Sequence, residues 1–566
     1  MKKIIVLIIV VLLAGFNYTC NDEWFEVKPK GQADFTNFLN AQGVQSLLIA
    51  AYADVDGCDT WTTPPWASSV SNWIWGSADS DDAYKGSDAG DQSDINATED
   101  FTLTAANSYV EYHWIPFYDG ITRCNDVLKA LREVTNMSNE EKILAEAQAK
   151  FLRAHFYFEL TIVHGKVPYI DENTENPGLV ANDHLLWPEM EADMKFAADN
   201  LPDRWSDKGR ATEWAAKTYL ARIYMFQQKF AEAMPLLQDV YTNGGFSLVP
   251  SYEMNYMIAN INNSESIFEI QYAVNDVPSS VNAGLGDGIN FPHGVPGMGL
   301  CCGFFQASHS LVSAHRVDDN GLPLLDDTYS ADDILPYSHD GSSVLYTLPV
   351  DPRLDHTVGR PGVPFLDWGI QLGDSWIRDP NWGGPYLFKK NMFKKSEKDL
   401  ATKYGWPNGV SANNFRKYRL GHVILWLAEC EAEVGSLHNA TTLVNEIRNR
   451  AKNSNVVTFD DGTPAANYKV EPYPVDFPSK DYARKAIRHE IRIEFAMEGL
   501  RFFDLVRWGI AAEVLNNYLS VEGTVMVWAM NKQFTAGQHE IRPIPQSQID
   551  ISRKDGQSVL VQNPGY

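Results

Sequence analysis

One stretch, Ser138 to Ile170, limits what this chain can fold into more than any other. Ser138 stands three residues before Glu141, a spacing at which each side chain satisfies the other's free backbone N–H at a helix start. Leu144, Ala147, Phe151, Ala154, Phe158 and Ile162 then recur at three- and four-residue steps, so they share one helix face. Leu152, Phe156, Leu160 and Val163 widen that face until most of the circumference is apolar, as in a helix buried on several sides. Gly165 and Pro168 end it. At 1.5 Å per residue the helix is roughly 40 Å long, the central beam of a helical stack.

Further helices carry the same logic. An apolar helical run lies around Val44 to Tyr52, and helix resumes near Ile115 and continues to Val134. Trp214, Ala215, Tyr219, Leu220, Ala221 and Tyr224 lead into Phe230, Ala231 and Ala233, with small residues between large ones. That alternation lets two helices approach closely and resembles a tetratricopeptide helix pair. A second copy runs from Leu425, Leu427, Ala428 and Ala432 to Ala440, Val444 and Ile447. A last helix starts near Asp481, with Arg484, Arg488 and Arg492 in one column and Glu490, Glu494 and Glu498 in another. We read these columns as cross-helix structural pairs. The fold class is therefore mostly α, a tetratricopeptide-like helix-pair scaffold with a large irregular, loop-rich half. One domain is expected over residues 20–566. The scaffold lies mainly in 115–245 and 415–515, the loop-rich part mainly in 55–115 and 246–415.

The N-terminus bears on location. Lys2 and Lys3 precede an apolar run, Ile4 to Phe16, too short for a permanent span and of the kind found in secretory signals. The run leads to Cys20, followed by Asn21, Asp22 and Glu23. We take residues 1–19 as a signal peptide and Cys20 as a lipidated first residue. Asn17, Tyr18 and Thr19 are bulkier than the residues usual before such a cysteine, so ordinary cleavage nearby is the alternative. A net charge of −26 repels nucleic acid and anionic lipid, and both are rejected as partners.

Several segments together resemble the SusD/RagB family of Bacteroidetes outer-membrane lipoproteins. They include Ser80-Asp81-Asp82-Ala83-Tyr84-Lys85-Gly86, Ala149 to Ala154, Gly165-Lys166-Val167-Pro168 and Asp351-Pro352-Arg353-Leu354. They continue with Phe415 to Arg419, Asn445 to Ala451, Glu494 to Leu505 and Gln562 to Tyr566. The resemblance implies four tetratricopeptide-like helix pairs and a loop-rich half holding a surface ligand site. It implies a lipid anchor in the outer membrane facing outward, and a SusC-like TonB-dependent transporter as partner. The implied ligand is an oligosaccharide, in some members a peptide, and no catalysis is implied.

Glycan binding needs flat aromatic faces beside hydrogen-bonding groups. Trp61, Trp66 and Trp73, with Asn72, offer these in a helix-poor stretch, where long loops are commonly functional. A long insertion, about residues 246 to 415, interrupts the helical scaffold between the two helix-pair copies and offers Phe304, Phe305, Trp368, Trp376, Trp382 and Tyr386, with Arg360 and Arg378. We select Trp61, Trp66, Trp73, Asn72, Trp368, Trp376, Arg360 and Tyr386 as ligand-binding candidates. Against this stands the tendency of tryptophan to be buried, and Trp75 is read as structural. Asp79, Asp81, Asp82, Asp88, Asp91 and Asp94 could suggest calcium, but their spacing misses the known loop pattern and a solvated loop is preferred. No cofactor or metal is expected. Cys301 and Cys302 are either ligand-facing or packing, and we favour packing; Cys124 and Cys430 read as buried small hydrophobes. His489-Glu490 lacks a second histidine, and Gly-x-Ser-x-Gly and Walker loops are missing. A glycoside hydrolase needs only two carboxylates, yet no strand–helix alternation supports an enzyme barrel.

Overall fold

The computed structural model describes residues 35–57, 63–274, 282–298, 301–325, 329–342, 346–402 and 410–566. The signal peptide, Cys20 and Trp61 lie outside the described residues.

Helices dominate. In chain order they are α1 (Ala41–Ala53), α2 (Ser108–Glu133), α3 (Asn139–His164), α4 (Trp187–Asn200), α5 (Glu213–Phe226) and α6 (Phe230–Asn243). The later ones are α7 (Leu420–Val434), α8 (Leu437–Asn453), α9 (Lys480–Glu494), α10 (Arg501–Arg507) and α11 (Ala511–Glu522). Four strands matter here: β1 (Ala83–Gly86), β2 (Ser266–Ile270), β3 (Phe304–Ala307) and β4 (Phe415–Arg419). The mostly helical class is as expected from sequence. From α2 to α8 each helix packs on the next, and α6 packs on α7 although the whole insertion separates them. β2 and β4 pair antiparallel, Ser266 opposite Arg419, so the insertion leaves and returns at one place.

The beam is α3. Ser138 accepts from Glu141 N at 3.2 Å and Glu141 Oε2 accepts from Ser138 N at 2.7 Å, completing both halves of the capping box. Gly165 closes the other end at φ 70°. Every residue from Phe151 to Leu160 is buried, including Arg153, His155 and Glu159. Arg153 is therefore paired, donating from Nε and Nη2 to Asp193 at 2.7 and 2.9 Å. Helix α2 begins at Ser108, earlier than the expected Ile115. Asn107 caps it by accepting from Tyr109 N at 2.9 Å, and Pro116 lies inside it. That interior proline masked the first two turns from a reading by pattern.

Two hydrophobic clusters result. One fills the helical row and includes Phe151, Tyr219, Phe268 and Trp426. The other fills the loop-rich half and includes Trp73, Trp75, Phe304, Phe365 and Phe502. Between them runs a buried ionic seam. Arg419 Nη1 lies 2.7 Å from Glu494 and its Nη2 lies 3.0 Å from Glu498. Arg353, from the loop-rich half, reaches Asp351 at 2.8 Å, Glu490 at 2.7 Å and Glu494 at 3.0 Å. The C-terminal segment returns to the beam: Arg542 N donates to Val163 O at 2.7 Å, and Asn563 Nδ2 to His164 O at 2.7 Å.

Candidate functional site

Strand β1 pairs antiparallel with β3, Ala83 opposite Ala307 and Gly86 opposite Phe304. This single ladder joins the two loop-rich stretches. At its end Gly86 takes φ 79°, and a Cβ there would sit 2.6 Å from Gly303 O, so the crossing requires glycine. The loop that follows is set by Asp88, whose Oδ1 accepts from Gly90 N at 2.8 Å and Asp91 N at 2.9 Å. Lys85 turns back under this loop and donates to the carbonyls of Asp88 and Asp91, both at 2.8 Å. Burial pulls its pKa down, while Glu99, Asp91 and Asp88 counter that. Glu99 accepts from Lys85 N at 2.6 Å and is pushed up to about 8 by burial.

Segment 372–382 runs along the outside of this ladder. At one end Arg378 reaches Asp88 Oδ2 at 2.7 Å, and also Asp91, and donates to Ser87 Oγ at 3.1 Å. Trp382 stands in a one-turn helix, Pro380–Gly383, capped by Asp379 accepting from Asn381 N at 3.1 Å. Its ring is partly exposed, with Lys85 Nζ 5.5 Å from the centroid. Its indole N–H is buried and has no acceptor among the described residues. At the other end Asp374 N donates to His339 O at 2.9 Å, and Asp374 Oδ2 lies 3.0 Å from His339 Nδ1. The partly exposed Tyr337 ring lies 4.8 Å from that imidazole. Between the ends, Gly294 N donates to Trp376 O at 3.3 Å, which brings exposed His293 to the rim. The half-buried Cys301–Cys302 pair, joined by a disulfide, precedes β3. Segment 372–382 thus has a partly exposed aromatic near each end, Trp382 in its one-turn helix and Tyr337 against His339, and the exposed or partly exposed Asp374, Arg378 and His293 along this outer face.

Most residues selected from sequence lie elsewhere. Trp66 is buried and donates its N–H to Tyr109 OH at 2.8 Å. Trp73 is fully buried against Phe304 and Phe305, its N–H directed to Gly286 O at 3.2 Å. Asn72, in a left-handed turn at φ 50°, donates to Glu159 Oε2 at 2.6 Å. Trp368 donates to Phe393 O at 3.0 Å, and Trp376 packs edge-on to Phe365 at 6.0 Å. Arg360 chelates Asp355 at 2.7 and 2.6 Å. Tyr386 is buried between His309 and Tyr337. A buried ring has no free face to offer a sugar, and in this arrangement these side chains are spent on interior packing and hydrogen bonds. Trp75 is structural as read, donating to Ala67 O at 2.8 Å.

The solvated reading of the acidic cluster holds for exposed Asp94 and partly exposed Asp88 and Asp91, and is corrected for the other three. Asp79, Asp81 and Asp82 are buried, not solvated, and are held by Arg542, Arg501 and Arg492. Among the described residues no group of three or more His, Cys, Asp or Glu is placed to hold a metal ion. Tyr337, His339, His293 and Asp374 were missed. The only signal was an aromatic beside turn-forming residues, Tyr337-Ser338-His339-Asp340-Gly341.

Comparison with known proteins agrees with this architecture. The profile of the SusD family matches residues 264–566, and a second, described as "Starch-binding associating with outer membrane", matches 23–225. A SusD-like protein of Bacteroides ovatus is 29% identical over 236 residues, 39% of this chain and 43% of that protein, so the match spans less than half of the relative. A laminarin-binding SusD-like protein superposes with TM-score 0.67 at 24% identity, covering 93% of this chain and 100% of that one. Surface glycan-binding protein A from Bacteroides thetaiotaomicron, solved with laminarihexaose, superposes with TM-score 0.67 at 21% identity, covering 93% and 99%. With the helical row, the β1–β3 ladder and a family profile spanning more than half its length, the chain belongs to the SusD family.

Proposed function

We propose that this chain is a cell-surface glycan-binding lipoprotein that holds an oligosaccharide on the face from Tyr337 to Trp382. In this reading Cys20 carries the anchor in the outer membrane, and the captured glycan passes to a SusC-like TonB-dependent transporter. The observation that carries the reading is the outer face itself. It places a partly exposed aromatic near each end of one segment, with Arg378, Asp374 and His293 between. Sugar rings present apolar C–H faces to such rings and hydroxyls to such polar groups. Trp382 is held in its capped turn over Lys85 and Tyr337 against His309 and Tyr386, so little side-chain freedom is lost on binding. The laminarin and laminarihexaose of the structural neighbours support the ligand class and suggest β-glucans as the first panel members. The chain acts as a binder, and no residue of this face is assigned a catalytic step.

Calorimetry against a panel of oligosaccharides that includes laminarihexaose tests this. Trp382→Ala and Tyr337→Ala should each weaken binding by about tenfold or more, an indole or phenol stacking contact being worth 1–3 kcal/mol. Their melting temperatures should stay near wild type, whereas Trp73→Ala should lower stability by about 3–5 kcal/mol. Unchanged affinity in the Tyr337→Ala/Trp382→Ala double variant would remove the site from this face. Binding of peptides with no glycan bound would replace the ligand class.

A further inference from the structure

Helix α9 carries three arginines one turn apart, and they do not behave alike. Arg484 chelates Glu433 at 2.6 and 2.9 Å. Arg492 reaches Asp82 at 2.8 Å and Asp81 at 3.0 Å. Arg488, between them, has no ion pair among the described residues; its guanidinium lies 5.1 Å from the centroid of the Trp508 ring. It is half-buried at the side of a cleft of about 430 Å³ formed by α9, α7 and the start of α6.

The acids in that cleft are already committed. Glu429 receives Arg507 Nη1 and Nη2, both at 2.7 Å, and also the Trp508 N–H at 2.8 Å. Glu433 holds Arg484 and, at 3.1 Å, Lys480. Asp481 lies 3.0 Å from Arg484. One guanidinium is thus left facing a cleft in a chain whose net charge is −26. Burial, with Arg507 and Arg484 nearby, pulls the Arg488 pKa down, although Glu429 and Glu433 oppose it. A bound anion would offset that strain on the cation. Trp508 backs the guanidinium, Phe230 supplies an apolar wall and Gln228 an exposed amide. The volume lies within the range of small-molecule sites.

We propose that this cleft binds a small organic carboxylate, paired in bidentate fashion with Arg488 over the Trp508 ring. Guanidinium and carboxylate match in geometry, and a partly desolvated pair is stronger than one on open surface. The site lies on the helical row, separate from the Tyr337–Trp382 face, and does not depend on the glycan reading.

Calorimetry on the intact protein, with glucuronate as the carboxylate probe and glucose as its neutral counterpart, each titrated in the presence of saturating laminarihexaose to occupy the other face, tests the proposal. Glucuronate should bind and glucose should not, and Arg488→Gln should weaken glucuronate by about tenfold or more, the loss expected for a charged hydrogen-bonding partner. Arg488→Lys should recover only part of that, because a point charge lacks the fork. Trp382→Ala should leave glucuronate binding unchanged. Equal affinity in wild type and Arg488→Gln, equal binding of glucose, or no glucuronate binding by a folded wild-type protein would each overturn the proposal. Glycan binding at the other face is read out separately by laminarihexaose, so its failure is distinguishable.

Discussion

At Glu498 a single buried carboxylate gathers Lys390 at 2.7 Å, Arg419 at 3.0 Å and the Tyr256 hydroxyl at 2.9 Å. Burial alone would raise its pKa; Arg419 and Lys390 more than reverse that and hold it down to about 2. The unfolded value is near 4.3. A folded pKa below the unfolded one gives stability that is present above the unfolded pKa and is lost as pH falls through the folded one. The urea-unfolding free energy of wild type should therefore exceed that of Glu498→Gln by about 3 kcal/mol near neutral pH. The difference should hold down to about pH 4.3 and shrink toward pH 2. A difference independent of pH over that window would show that the carboxylate charge is not what the seam uses. The residue scale is also where sequence was least informative. Trp66, Trp73 and Trp382 look alike in composition. Only the β1–β3 crossing decides that Trp73 lies beneath Phe304 and Phe305 while Trp382 reaches the surface. Irregular segments have no periodicity from which a facing could be inferred.

Elements were far more legible. The capping box at Ser138, the stop at Gly165 and the apolar steps between them all stand in α3 as the spacing implied. What spacing could not give is how closely α2 approaches. Gly120 of α2 lies on the beam, and a Cβ there would sit 2.5 Å from the Phe156 ring. Gly120→Ala should thus destabilise by about 1–3 kcal/mol despite alanine's better helix propensity, because overpacking forces a shift. Phe156→Leu, costly by itself, should recover part of the loss when combined with it. A double-mutant cycle in urea measures this; strict additivity would mean that the two residues do not share the contact. Arg488 makes the same point on α9. Its column was visible in the sequence, but which member has no ion pair among the described residues depended on where Glu429 and Glu433 were spent.

On the scale of the whole molecule, the ionic seam ties two hydrophobic clusters into one folding unit. Arg353 comes from the loop-rich half yet contacts Glu490 and Glu494 of α9. Far-UV circular dichroism and tryptophan fluorescence should therefore report one coincident urea transition. Arg353→Met should lower the unfolding free energy by about 3–5 kcal/mol, since it strands buried carboxylates, and should keep the transitions coincident. Two separated transitions in wild type would mean that the halves fold independently. The order of motifs along the chain revealed the family resemblance and the helical class. The packing of α6 on α7 across the insertion was not legible, because no local signal encodes a partner so distant in sequence.

The return of the C-terminal segment to the beam has a kinetic meaning. The carbonyl of His164 at the beam's end is met by Asn563, 399 residues later, and Arg542 grips Asp79 across 463 residues. A ribosome or an export channel delivers the early residues first. For most of that delivery the end of α3 has no clasp, and closing so long a loop is slow and entropically unfavourable. Residues 542–563 thus set a late step: the clasp on the end of α3 closes only after they have been delivered.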